Sequence, residues 1–77
     1  MTRDEFLEAV RVEGISSLSF KIGEVSNERY VLLDREGHWD VFYSERGQEN
    51  DLRQFPEEPL ALSDLLARLR ADPTTRQ

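Results

Sequence analysis

The chain has 77 residues, no cysteine, and a formal net charge of −6 that comes from 16 acidic and 10 basic residues. A chain of this length builds one small core, and without cysteine it forms no disulfide, no thiolate nucleophile and no cysteine-based zinc cluster. The acidic balance opposes binding to the phosphates of nucleic acid. It favours either a cationic protein partner or simple solubility.

The N-terminal sequence MTRDEFLEAV indicates neither export nor membrane insertion. It has acidic residues where a secretory signal needs an uninterrupted apolar stretch. No apolar run elsewhere approaches the roughly 20 residues that span a bilayer. We therefore expect a cytoplasmic protein that does not contact a membrane.

The first predicted element is a helix over Arg3–Val12. Thr2 and Glu5 have the spacing of a capping box, in which each side chain binds the other residue's backbone amide. The apolar residues that follow recur at helical spacing, and Gly14 is a typical stop for a helix.

Strands are predicted next, each bounded by turn residues. The first ends at Gly23, the second covers Glu28–Leu33, the third covers His38–Ser44, and a short fourth covers Asp51–Phe55 at an edge of the sheet. Because short turns join consecutive strands, we expect an antiparallel meander of three or four strands.

Leucines at helical spacing predict a C-terminal helix that opens at Pro59 or Ser63 and ends before Pro73. The fold class is therefore α+β, with an N-terminal helix, an antiparallel three- to four-stranded β-meander and a C-terminal helix. We expect a single domain over residues 1–73 and a frayed tail over Thr74–Gln77.

The segment YVLLDREGHWDVFYSERG, residues 30–47, is predicted to form one β-hairpin. A type I turn over residues 34–37, with Gly37 in the left-handed conformation, closes a three-residue hairpin loop. This turn pairs Leu33 with Trp39, and we expect Trp39 to be a core residue.

The predicted register gives the hairpin two apolar faces. One face carries Val31, Leu33, Trp39, Val41 and Tyr43. The other carries Tyr30, Leu32 and Phe42, with Asp34, His38 and Asp40 around them. If both helices cover the first face, the second is exposed, whereas a helix on each face buries both. An exposed aromatic centre with a charged rim is typical of protein interfaces. The candidate partner-binding residues are therefore Tyr30, Leu32, Asp34, Asp40, Phe42 and Glu45.

The residues predict no catalytic, cofactor-binding or metal site, and hence no enzyme. His38 is the only histidine, and we expect it to bond Asp34 or Asp40 at the hairpin edge. Ser44 is not part of a G-x-S-x-G elbow, the carboxylates lack the spacing of a calcium loop, and the glycines are too isolated to cradle phosphate. The arginines of the last helix are too few for a nucleic-acid footprint.

The hairpin carries a resemblance to a known group of proteins. ERYVLL, followed by G-x-W-x-V-x-Y-S-E-R-G over Gly37 to Gly47, then Phe55 and a leucine-rich final helix, resembles small immunity proteins of bacterial polymorphic-toxin systems, of the type found in actinobacteria. The resemblance implies a cytosolic, non-enzymatic inhibitor that binds a cognate toxin domain. We expect the partner to be a basic nuclease domain that the acidic face can occupy.

Two other classes of protein stay open. A homodimeric structural or regulatory adaptor could form through the exposed strand face or an edge strand. A small-ligand binder or enzyme needs a deep apolar pocket, and few apolar residues remain beyond those that the core requires.

Overall fold

The computed structural model describes all 77 residues as two helices and one four-stranded sheet. In chain order the elements are α1 (Arg3–Val12), β1 (Phe20–Ile22), β2 (Arg29–Arg35), β3 (His38–Glu45), β4 (Gln48–Phe55) and α2 (Glu58–Ala71). Short 3-10 turns cover Ser17–Ser19 and Pro73–Thr75. The α+β prediction, with one helix before the strands in the chain and one after them, is confirmed.

The predicted capping box fixes the start of α1. The Glu5 backbone amide donates to the Thr2 hydroxyl at 3.1 Å, and the Thr2 amide donates to the Glu5 carboxylate at 2.7 Å. Both bonds satisfy amides that a helix N-terminus leaves without partners. The helix has the predicted bounds, and it buries Phe6 and Val10.

The sheet has the order β1-β2-β3-β4 and is mixed. The predicted antiparallel meander holds for β2, β3 and β4, but β1 runs parallel to β2, with Phe20 beside Tyr30. Only residues 23–28 connect these two parallel strands, although such connections usually need a dozen residues or more. Gly23 and Glu28, at the two ends of this connection, have positive φ angles of 99° and 60° and so turn the chain back.

The hairpin loop between β2 and β3 has two residues, not three. Arg35 and His38 form the last pair, and Glu36 and Gly37 both have positive φ angles, 41° and 87°. These values belong to a type I′ turn, which matches the twist of the strands. The left-handed Gly37 is as predicted, but the predicted type I turn is wrong.

The predicted register is wrong by one residue for the same reason. Trp39 pairs with Asp34 and not with Leu33. The side chains of Trp39 and Leu33 therefore lie on opposite faces of the sheet. Trp39 is half-buried and packs against the edge of the core. It is therefore a peripheral member of the core, and not one of its fully buried residues.

Both helices pack on one face of the sheet, which we call the helix face. Its strand residues in or against the core are Phe20, Ile22, Tyr30, Leu32, Trp39, Val41 and Phe55. The rings of Phe6 in α1 and Phe20 meet edge to face at 5.3 Å, and five residues of α2 are buried. The opposite side, the second face, carries Val31, Asp40, Phe42 and Ser44, which are also buried.

The fourth strand starts at Gln48, three residues before the predicted start at Asp51. The pairing between β3 and β4 shifts between Val41 and Tyr43, where Asp51 has a positive φ of 54°. An extra residue in the left-handed conformation is typical of a β-bulge. The strand therefore continues on both sides of the irregularity.

The C-terminal residues differ from the frayed tail that the sequence predicts. The Ser16 amide donates to the Thr75 carbonyl at 2.6 Å, and the Gln77 amide donates to the Gly14 carbonyl at 2.8 Å. Thr75 is buried, and its hydroxyl lies 2.7 Å from the carbonyl oxygen of Leu69. These bonds tie the end of the chain to the segment that follows α1 and to the last turn of α2.

Candidate functional site

The structure does not bring the six predicted partner-binding residues together. On the helix face lie Tyr30, Leu32 and Asp34, whereas Asp40 and Phe42 lie on the second face. Leu32 and Phe42 are fully buried and Asp40 is 1% exposed, so the predicted aromatic surface with an acidic rim does not exist. The cause is the one-residue change of register, which moves the residues of one strand to the other face.

Tyr30 nevertheless belongs to a recess at the surface, together with Tyr43, its partner across the β2–β3 pair. The two half-buried rings meet edge to face with centroids 4.9 Å apart. The recess, which we call the tyrosine cleft, is bounded by Leu18, Glu28, Tyr30, Tyr43, Asp72 and Thr74. Serine and threonine residues complete its wall, and no basic residue lines it.

Hydrogen bonds hold one side of the tyrosine cleft in place. Asp72 accepts from the Tyr30 hydroxyl at 2.9 Å, from the Thr74 amide at 2.9 Å and from the Thr74 hydroxyl at 2.6 Å. The bonds from Thr74, and then the one from Tyr30, lower the pKa of Asp72. The carboxylate therefore stays ionised, and it is fixed at the wall of the cleft.

The same arrangement keeps both tyrosines neutral at physiological pH. Burial raises the pKa of Tyr30 to about 12, and the hydrogen bond to Asp72 adds to this effect. Burial also raises the pKa of Tyr43, and the nearby carboxylates of Glu45, Glu28 and Asp72 raise it further. Tyr43 therefore lies close to three carboxylates, all of which oppose its ionisation.

The other two outer residues of the tyrosine cleft, Glu28 and Leu18, have exposed side chains. Glu28 is exposed and forms no ion pair, and its positive φ of 60° is unusual for a residue with a Cβ. Leu18 is 70% exposed, more than any other large apolar side chain. An exposed apolar side chain and an unpaired carboxylate thus both border the tyrosine cleft.

A second recess on the other side of the tyrosine pair has a different charge pattern. It contains Glu45 and Asp51 but also Arg53 and Arg68. Arg68 donates to the Asp51 carbonyl at 2.7 Å, so this recess is partly occupied by the protein's own cations. Only the tyrosine cleft is acidic without a balancing base.

The unpaired charge of the whole molecule is strongly negative. Seven of the ten basic side chains form ion pairs, and these involve seven carboxylates. Nine carboxylates and three arginines are left without an ion-pair partner, and the difference equals the net charge of −6. Eight of these nine carboxylates belong to exposed residues, with Asp72 as the exception, so the excess charge lies at the surface.

The second face carries an ion-pair network centred on Asp40. Arg35 donates to Asp40 at 3.0 Å and to the two carboxylate oxygens of Glu49 at 2.9 and 2.6 Å. Its guanidinium also lies 5.3 Å from the ring centroid of Phe42. His38 lies with Nε2 3.2 Å from Asp40 Oδ1, as one of the two predicted pairings requires, but Oδ1 accepts no well-aligned hydrogen bond.

This network has the geometry of a structural cluster. The hydrogen bonds from Arg35 lower the pKa of Glu49. The carboxylates of Glu49 and Asp40 in turn raise the pKa of Arg35. The network thus covers a buried aromatic ring with a cation and neutralises the carboxylate of Asp40, whose side chain is 2% exposed.

No protein-family model, curated protein or solved structure matches this chain. Neither α1 nor α2 has the length and apolar character that crossing a membrane requires. No group of three or more histidine, cysteine or acidic side chains is arranged to hold a metal ion.

Sequence reasoning missed most of the tyrosine cleft. The predicted register puts Tyr43 and Tyr30 on opposite faces of the sheet, whereas the two-residue Glu-Gly loop pairs them on one face. Asp72 lies 42 residues from Tyr30 in the sequence, and no local pattern indicates that they are bonded. Of the predicted contact residues, Tyr30 lines the cleft and Glu45 lies close to it.

Proposed function

We propose that this protein is a non-enzymatic, cytoplasmic immunity protein that inhibits a cognate toxin by binding it. The observation that carries the proposal is the excess of nine unpaired carboxylates over three unpaired arginines. Such a surface is complementary to a cationic protein. The resemblance of the hairpin segment, Gly37 to Gly47, to toxin-immunity proteins supports the same function.

A nuclease toxin is the partner whose chemistry best fits this charge. An enzyme that cleaves nucleic acid holds lysine or arginine where the phosphates bind. An acidic protein can occupy that site without any chemistry of its own. Opposite net charges also speed the encounter of the two proteins, which favours rapid neutralisation of a lethal enzyme.

The test is the association of the protein with the toxin domain that the proposal expects to be encoded beside it. The purified pair should form a complex, toxin activity should fall in proportion to the complex formed, and the association rate should decrease steeply as salt is added. An association rate that does not respond to salt, or a toxin that stays active in the complex, would contradict the proposal.

Charge reversals refine this test. Glu45→Lys changes an exposed side chain close to the tyrosine cleft, and it should lower the association rate and reduce the salt dependence. Asp40→Lys is unsuitable because Asp40 is buried and its loss would affect folding.

A homodimeric adaptor is the second candidate, because β4 is a sheet edge of eight residues. An edge strand offers unpaired backbone groups to a second copy. The bulge at Asp51 and the proline that follows Phe55 oppose such pairing. Light scattering across a dilution series distinguishes the two functions, since an adaptor of this kind stays dimeric without the toxin.

A further inference from the structure

We infer that the tyrosine cleft is a receptor for a single lysine or arginine side chain of the partner protein. The identity of that partner as a toxin rests on the proposed function, whereas the preference of the cleft for a cationic side chain rests on its own geometry.

The charge of the cleft selects a cation. Its wall contains the carboxylates of Glu28 and Asp72 and no basic residue. Glu28 has no ion-pair partner, and Asp72 is held ionised by hydrogen bonds that a ligand need not replace. An anionic ligand would meet two like charges at once, which excludes phosphate and carboxylate groups from this position.

The apolar parts of the cleft match the rest of a long basic side chain. Lysine and arginine have aliphatic stems that pack against apolar surface while the charged end stays near carboxylates and water. Leu18, at 70% exposed, provides that apolar surface. The half-buried rings of Tyr30 and Tyr43 line the cleft beside it, and an aromatic face attracts a cation.

The cleft is also built before any ligand arrives. The Tyr30 hydroxyl is fixed on Asp72, and Asp72 is fixed on Thr74. The backbone next to it is held by the bond from the Ser16 amide to the Thr75 carbonyl. Because these groups are already ordered, binding a side chain there has a low entropic cost.

The matched pair Glu28 and Glu36 allows a sharp test. Both are exposed glutamates without ion-pair partners, and both have a positive φ, 60° and 41°. They lie just beyond opposite ends of β2, so only Glu28 lines the cleft. Glu28→Gln and Glu36→Gln therefore remove the same charge in the same backbone conformation at two different places.

The first experiment uses the full-length protein and two small probes. N-acetyl-arginine methylamide is added while NMR shifts are followed, and N-acetyl-norleucine methylamide is the uncharged control. We expect saturable shifts from the arginine probe at Leu18, Tyr30, Tyr43 and Thr74, with much smaller shifts from the control. Absent shifts, or shifts spread evenly over all exposed carboxylates, would overturn the inference.

The variants then locate the site. Glu28→Gln should weaken the arginine probe about three- to fivefold, in line with the loss of one exposed ion pair. Glu36→Gln should leave its affinity unchanged. Leu18→Ser, at an exposed position, should also weaken the probe and leave the melting temperature within error. Equal affinities for the two glutamine variants would overturn the inference.

Binding to the toxin domain separates the two proposals. The toxin domain could bind the wild type, and bind Glu28→Gln and Leu18→Ser with the same affinity as Glu36→Gln. In that case the cleft is not the receptor and the proposed function stands. If the cleft binds the arginine probe and the toxin domain does not bind at all, the proposed function fails and the receptor stands.

Discussion

Replacing Arg35 with methionine should destabilise the protein far more than an exposed arginine replacement does. Methionine keeps an apolar stem over Phe42 but removes the cation that holds two carboxylates, Asp40 at 3.0 Å and Glu49 at 2.6 Å. The side chain of Asp40 is 2% exposed, so water cannot replace the lost partner there. The variant therefore leaves a buried charge with little compensation.

The size of the loss follows from this burial. Removing one partner of a fully buried ion pair costs about 3–5 kcal/mol. Arg35 is 34% exposed and His38 remains near Asp40, so we expect the lower end, about 3 kcal/mol. For a domain of this size that loss lowers the melting temperature by roughly 10–20 °C. Adding Asp40→Leu should recover at least half of it, because the buried charge is then gone.

Urea unfolding at pH 7, followed by the fluorescence of Trp39, measures these changes. The control is Arg53→Met, which removes a 68% exposed partner of Asp64 and should cost less than about 1 kcal/mol. Similar losses for the two single variants, or a double variant no more stable than Arg35→Met, would show that the network does not stabilise the second face.

Acid should reduce the difference between the wild type and Arg35→Met. The hydrogen bonds from Arg35 lower the pKa of Glu49 in the folded state. A lowered pKa contributes stability that is present above the ordinary glutamate range and is lost as the pH falls through the folded-state value. The unfolding free energies of the two proteins should therefore converge in acid. A difference that stays constant to low pH would contradict this account.

Three further predictions concern the tyrosine cleft, the C-terminus and the turns. Because the pKa of Tyr30 rises from 10.0 to about 12 on folding, wild-type stability should fall by up to about 2–3 kcal/mol as the pH rises through that interval. In Tyr30→Phe only the smaller loss of stability due to Tyr43 should remain over this pH interval, and unfolding curves measured at alkaline pH will show it. Thr75→Val should cost about 1–2 kcal/mol in urea unfolding, because it removes a buried hydroxyl bonded to backbone carbonyls, whereas a frayed tail would show no loss. Gly37→Val and Gly47→Val should each cost about 1 kcal/mol or more and by similar amounts, since both have φ near 80–90°, and a negligible loss at either would contradict the turn geometry.

The sequence alone determined the elements whose signals are local. The capping box of α1 joins residues three apart, and the leucines of α2 repeat every three or four residues. Such signals act through bonds and contacts within one turn of helix, so neighbouring residues are sufficient to specify them. The α+β class and the left-handed Gly37 followed in the same way.

The register of the hairpin was decided only by the tertiary structure. Residues 30–33 and 41–43 are all apolar, so either register buries apolar side chains on both faces, and the pattern does not select one. The register depends on the two-residue turn, on the packing of α2 against the helix face, and on the contact of Arg35 with Phe42 on the second face. The observed register differs from the predicted one by a shift of one residue. This shift places Tyr30 opposite Tyr43 instead of Phe42.

The tyrosine cleft depends on the same long-range choices. Its carboxylate Asp72 follows α2, its leucine precedes β1, and its tyrosines lie on β2 and β3. These segments meet because β1 runs parallel to β2 and because the C-terminus pairs with residues 14–16. Local sequence specifies neither pairing, because each brings together segments distant in the chain and is stabilised only when the core beneath it has formed.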